Sequence, residues 1–140
     1  MIARGKKISG AAEAEYAADV ALAARFDDLL AAARTAEQSF RNAQARAVPI
    51  SELHPLARRF DTALTDAMRA AYAAERAEIG PRGYEDRIYR HKAKAKSAVR
   101  SWRDEAERLL TLRETHQLTG IPPAPLTDLP SSEAIPYVIT

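Results

Sequence analysis

The fold is decided by the stretch from Tyr84 to Thr119, which reads YEDRIYRHKAKAKSAVRSWRDEAERLLTLRETHQLT. It contains neither Gly nor Pro, and it carries the only Trp of the chain. Apolar residues recur along it at helical spacing, which predicts one long helix with a buried face. The residues predicted to form that face are Ile88, Ala95, Val99, Trp102, Ala106 and Leu109.

Two further helices are predicted upstream of this stretch. Nothing breaks a helix across residues 10–47, which would then be about 57 Å long, and Ser9 is placed to cap its first turn. Whether this helix is continuous stays open. The dipeptide Val48-Pro49 ends it, because a residue that precedes proline is pushed out of the α region. The next helix is predicted over residues 55–79, and Gly80-Pro81 stops it.

The sequence therefore predicts an all-α fold, a bundle of three long helices over residues 10–47, 55–79 and 84–119. Its three predicted parts are a basic N-terminal arm, a helical bundle and an extended Pro-rich tail, over residues 1–9, 10–119 and 120–140. Alanine, the most frequent residue, favours helices because it loses no side-chain entropy in them.

The tail has a composition unlike that of the bundle. It holds five of the eight prolines and no Lys or Arg, and it ends in the apolar sequence IPYVIT. Such a segment cannot fold alone, so it is expected to bind a neighbouring chain or to fold back on the bundle. The residues predicted to make this contact are Ile135, Tyr137, Val138 and Ile139.

Several classes of function are disfavoured by what the chain lacks. The absence of Cys excludes disulfides, thiolate zinc sites and thiol catalysis, and cytoplasm is the expected compartment. No apolar run approaches the roughly 20 residues that a membrane span requires, and no secretory signal is expected. The three histidines, His54, His91 and His116, lack metal-ligand spacing, and packing or interface roles are expected for the last two. No catalysis, metal or cofactor is expected.

The most informative feature is the distribution of charge. The net charge is only +2, yet the segment from Arg82 to Arg103 holds eight Lys or Arg and two acidic residues. Four cations at helical spacing predict a stripe about 16 Å long, which suits the repeating charge of a nucleic-acid backbone. The stripe is Lys92, Lys96, Arg100 and Arg103; flanking candidates are Arg87, Arg90 and Lys94, and those in the arm are Lys6 and Lys7.

No residue pattern indicates readout of base edges, because the segment lacks a recognition-helix Asn or Gln. Tyr84 and Tyr89 lie near the stripe, where they could stack on a base, although packing at the start of a helix explains them too. An ordinary solvated face and a docking surface for an acidic protein stay open as alternatives.

In size, helical character and basic helix face, residues 10–119 resemble the small subunit of multi-subunit CRISPR effector complexes. The resemblance implies a non-catalytic subunit in several copies, packed against larger protein subunits. It also implies contact with the crRNA–target duplex or the displaced strand. The Pro-rich tail lies outside the resemblance. Two alternatives are a bacteriophage virion or packaging protein whose tail clamps a neighbouring subunit, and a helical adaptor that binds an acidic protein.

Overall fold

The computed structural model describes residues 7–122, and every regular element in that range is helical. The predicted all-α bundle is therefore confirmed. Its α-helices are α1 Gly10–Ala23, α2 Phe26–Ala45, α3 Ile50–Ile79, α4 Arg87–Ala93 and α5 Ser97–Thr115. A 3₁₀ turn, Pro81–Tyr84, precedes α4, and a π turn, His116–Gly120, follows α5.

α3 is the central helix and contacts α1, α2 and α5. The small side chains on its buried face allow the neighbouring helices to approach closely. The buried alanines of α3 are Ala57, Ala67, Ala70, Ala71, Ala73 and Ala74. Larger side chains from three helices fill the remaining space in the same core, among them Phe40, Phe60, Leu64 and Leu109.

The predicted first helix is two helices. The chain breaks after α1, where the amide of Arg25 donates to the carbonyl of Leu22 at 3.0 Å, three residues back. After the break, the ring of Phe26 packs against that of Trp102, with the two ring centroids 5.2 Å apart and the rings almost perpendicular. A straight helix over residues 10–47 would be about 57 Å long and would run past α3, which spans about 45 Å. Two shorter helices can instead follow the bundle.

The connection between α2 and α3 is shorter than predicted. Ala47 takes a left-handed conformation, with φ of 55°, and the amide after it donates to the carbonyl of Ala43. α3 then begins at Ile50 rather than at Pro55, because Pro49 adopts the extended backbone of a helix cap. Pro55 lies inside α3, at its sixth residue, where it has no N–H to donate to the carbonyl of Ser51 four residues back. The predicted end of this helix at residue 79 is correct.

The predicted third helix is divided between α4 and α5. Over Lys94–Lys96, three successive amides donate to carbonyls three residues back, which interrupts the α-helical ladder. The turn brings Ala93 and Val99 together against Ile79 in a small second cluster of buried residues. On an unbroken helix, residues six apart would point about 120° from each other.

This turn also changes which residues are buried. The predicted face is correct from Val99 onward, where Ala106 and Leu109 are also buried and Trp102 is half-buried. The predicted face is wrong for the residues before Val99, because α4 is rotated relative to α5. There Ile88 is 69% exposed and Ala95 lies in solvent.

Candidate nucleic-acid interface

The predicted stripe of cations bends at the junction of α4 and α5. Lys92 lies on α4, Lys96 caps α5, and Arg100 and Arg103 follow on α5 itself. The prediction that all four lie along one straight helix side is therefore wrong. Arg103 is also half-buried, whereas the other three are exposed. We call the cations at this bend the basic elbow: Arg87, Lys92, Lys94, Lys96, Arg100 and Arg103.

The charges of the basic elbow are not neutralised within the described part of the chain. No Asp or Glu occurs in the sequence across residues 87–103. Among residues 7–122, none of the six cations forms an ion pair, although five other arginines do. Residues 87–103 thus carry a local excess of positive charge, although the net charge of the whole chain is small.

Arg90 does not belong to this surface. Its guanidinium donates to the carbonyl of Gly83 at 2.7 Å, and the side chain is half-buried. It lines a cavity of about 400 Å³ together with Asp19, Arg76 and Tyr84. Arg90 therefore binds the protein backbone, whereas the sequence predicted it as one of the flanking cations that contact nucleic acid.

Residues 7–9, the described part of the N-terminal arm, lie beside the turn before α4. Ser9 caps α1 as predicted, since its hydroxyl accepts from the amide of Ala12 at 3.1 Å. The Ser9 amide also donates to Glu85 Oε2 at 3.2 Å, which ties the arm to the turn before α4. Exposed Lys7 consequently lines a cleft of about 700 Å³ that also includes Arg87 of the basic elbow.

Five of the predicted contact residues lie outside the described residues, and their roles stay predictions. They are Lys6, Ile135, Tyr137, Val138 and Ile139.

Arg82, which also lines this cleft, packs over the ring of Tyr89, a contact that was not predicted from the sequence. The guanidinium carbon of Arg82 is 4.8 Å from the centroid of the Tyr89 ring. Arg82 Nε donates to Asp86 Oδ2 at 3.2 Å, and the other oxygen of Asp86 accepts from the Tyr89 amide at 2.9 Å. The hydrogen bond from that amide outweighs desolvation and, with the one from Arg82, lowers the pKa of Asp86. The ionised carboxylate thus binds the side chain of Arg82 and the backbone amide of Tyr89.

A second polar cluster joins α1, α3 and the 3₁₀ turn. Arg76 binds Asp19 through two nitrogens, Nε at 2.8 Å and NH2 at 3.1 Å, and the Tyr84 hydroxyl donates to Asp19 Oδ2 at 2.6 Å. Burial alone would raise the pKa of Asp19, but these hydrogen bonds hold it below its ordinary value. Burial and the same hydrogen bond raise the pKa of Tyr84, which stays protonated as a donor. The Tyr84 ring packs edge-on against Tyr16.

Two of the three histidines, His54 and His116, join separate segments of the chain through hydrogen bonds to backbone carbonyls. Buried His116 lies against Phe40 and Phe60, and its Nε2 is 2.8 Å from the carbonyl oxygen of Ala57. Because a carbonyl only accepts, that nitrogen carries the proton. His54 makes a similar bond to the Pro122 carbonyl at 2.9 Å. The packing role predicted for His116 is confirmed. His91 is exposed on α4, so the packing role predicted for it is wrong, and the alternative interface role stays a prediction.

No group of three or more acidic or histidine side chains within residues 7–122 is arranged to hold a metal ion. None of the helices in this range combines the length and the apolarity that a bilayer crossing needs. No protein-family model matches the chain, and searches of curated proteins and of solved structures found no match.

Proposed function

We propose that this chain is a non-catalytic subunit of a nucleoprotein assembly and that its basic elbow holds a nucleic-acid backbone. The observation that carries the proposal is that the six cations form no ion pair among residues 7–122 and that no acidic residue occurs across residues 87–103. Cations without a protein partner are free to replace the counterions of a phosphate chain, and the release of those counterions drives binding.

The same surface favours contact without sequence recognition. Contacts from Lys and Arg to phosphates position a backbone but carry no sequence information. No Asn or Gln occurs across residues 81–103, so the amide side chains that pair with adenine are missing from the elbow. Sequence selection and any catalysis would then belong to larger partner subunits, with several copies of this chain in each assembly.

The resemblance to CRISPR small subunits agrees with this function, and the basic elbow would be the surface turned to the nucleic acid. The proposal does not depend on that resemblance. It requires only that the elbow meets a polyanion with regularly spaced phosphates.

The test compares two variants with equal loss of charge. The elbow variant changes exposed Arg87, Lys92, Lys96 and Arg100 to Gln; half-buried Arg103 is left intact to protect the fold. The control variant makes the same change at four exposed arginines on or next to α2 and on α3. They are Arg34, Arg46, Arg58 and Arg59.

Binding to labelled DNA and RNA is measured by fluorescence anisotropy over a range of salt concentrations. Each phosphate contact contributes about 0.7–0.9 to the slope of log affinity against log salt, so the elbow variant should lose about 3–4 units of slope. The control variant should keep the parent slope within about one unit. Parent-like binding by the elbow variant, or equal losses in both variants, would exclude the elbow as the binding surface.

A further inference from the structure

The cleft next to the basic elbow has a lining of charged and apolar side chains. It is lined by Lys7, Ile8, Arg82, Glu85, Asp86, Arg87 and Ile88. Its volume of about 700 Å³ lies within the range of about 300–1,000 Å³ that is typical of pockets for small organic molecules. Cations, apolar side chains and a positioned guanidinium therefore meet in one concave surface.

Arg82 is held in place before any ligand arrives. Tyr89 covers it from one direction and Asp86 fixes its Nε, yet the side chain is 50% exposed and lines the cleft. A guanidinium fixed in this way loses little conformational freedom on binding. Flat guanidinium groups are surfaces on which unpaired bases stack in nucleic-acid recognition.

The distribution of charge indicates which part of a nucleotide would enter the cleft. Glu85 and Asp86 are both in the lining, where their carboxylates already accept hydrogen bonds from Ser9 and Arg82. A phosphate beside two carboxylates would be repelled, whereas Lys7 and the basic elbow attract it. An uncharged base is the part of a nucleotide that suits the cleft beside Glu85 and Asp86, whereas the phosphates suit Lys7 and Arg87.

The position of Ile88 also favours a base, and not a phosphate, in the cleft. It is 69% exposed, and it lies on α4 directly after Arg87 of the basic elbow. An apolar side chain gains nothing from a phosphate but can pack on the face of a base. In a duplex the base faces are stacked inside, so only a strand with unpaired bases offers such a face.

We infer that the basic elbow binds single-stranded nucleic acid, with one unpaired base stacked on Arg82 beside Ile88 and the flanking phosphates on Lys7 and Arg87. This inference rests on the proposed function and narrows its ligand from nucleic acid in general to an unpaired strand.

The test replaces Arg82 with Lys, which keeps the charge and removes the planar group. Binding is measured by fluorescence anisotropy with three ligands of about 12 nucleotides, a length in the range of single-strand binding sites. These are oligothymidylate, the same strand with abasic sites, and a DNA duplex; oligouridylate is measured in parallel. Arg108→Lys is the matched control, because Arg108 is also 50% exposed and also pairs with a nearby carboxylate.

Arg82→Lys should weaken binding of oligothymidylate and oligouridylate by about 5- to 10-fold, in line with the loss of one stacked base. Arg82→Lys should bind the abasic strand and the duplex with affinities within about twofold of the parent values. The control Arg108→Lys should bind every ligand within the same range. The variant Ile88→Ala, at an exposed position, should show the same pattern with a smaller loss of about threefold.

The outcomes separate the two proposals. If Arg82→Lys changes the affinity for intact, abasic and duplex ligands equally, or for none of them, no base stacks on Arg82 and the inference falls. Tighter binding of the duplex than of the single strand overturns it as well. In both cases the proposed function stands, provided that binding still depends on salt and on the elbow cations. If the parent protein binds none of the ligands, both proposals fail.

Discussion

Replacing Asp19 with Ala should loosen α1 from the C-terminal end of α3. The carboxylate accepts two hydrogen bonds from Arg76 and one from the Tyr84 hydroxyl. It is thus the common partner of groups from α3 and from the 3₁₀ turn, while it lies on α1 itself. Removing it leaves the arginine and the tyrosine without their acceptor and takes away the main polar tie between these elements.

The magnitude follows from the exposure of each partner. Arg76 is 49% exposed and can be rehydrated, so the loss of its ion pair should cost less than about 1 kcal/mol. Tyr84 is half-buried, and a hydroxyl left there without an acceptor costs about 1–2 kcal/mol. The expected loss of unfolding free energy is therefore about 1–3 kcal/mol, equivalent to a fall in Tm of about 3–12 °C for a chain of this size.

Urea denaturation at neutral pH, followed by circular dichroism, measures this loss. Asp66→Ala is the matched control, because Asp66 lies exposed on α3 and its removal should change stability by less than about 0.5 kcal/mol. The double variant with Tyr84→Phe should lose less than the sum of the single losses, since both substitutions remove the same hydrogen bond. If Asp19→Ala is as stable as Asp66→Ala, the network does not stabilise the fold and the reasoning is refuted.

The pH dependence of this contribution has a defined sign. The pKa of Asp19 is lowered in the folded state from the ordinary value of 3.8, so folding favours the ionised form. The stabilisation is fully present above that ordinary value and is lost as the pH falls through the lower folded pKa. The difference in stability between the parent and Asp19→Ala should therefore be constant near neutral pH and should shrink in acid.

Two further substitutions test the backbone at the joints between helices. Gly83→Ala should reduce the unfolding free energy by about 1–3 kcal/mol, because the new Cβ would overlap Cγ2 of buried Ile79. Gly10→Ala, which has open space around it, is the control, and equal urea midpoints for these two variants would contradict the overlap. Ala47→Gly should instead raise stability by about 0.5–1 kcal/mol, since φ of 55° strains any residue with a Cβ. Ala31→Gly, within α2, should lower stability by about 1 kcal/mol, and a loss at both positions would show that Ala47 carries no strain.

The helical fold was predictable because the signals for it are local. Alanine-rich composition, helical spacing of apolar residues and the stop at Gly80-Pro81 all act within a few residues of the chain. The break after Ala23 was not predictable in this way. No residue near it disfavours a helix, and its position coincides with the contact between Phe26 and Trp102, which are far apart in sequence.

The candidate site shows the same division between local and long-range causes. The cluster of cations could be read directly, but its shape could not, because the turn at Lys94–Lys96 depends on packing against Ile79. The contact of Arg90 with the Gly83 carbonyl likewise depends on the 3₁₀ turn that precedes α4. One signal for the Arg82 stack was present in the sequence. Arg82 and Asp86 have the four-residue spacing of a helical ion pair.

The alanine-lined face of α3 has a consequence for how this protein can diverge over evolution. A helix is stiff along its length, so a larger side chain at Ala70 or Ala73 would act as a wedge and force neighbouring residues to shift. The buried alanines are then the hardest residues to replace, whereas charged residues on the outer faces can change with little effect on the fold. Distant relatives would accordingly share the spacing of small residues along one helix more than any distinctive sequence motif.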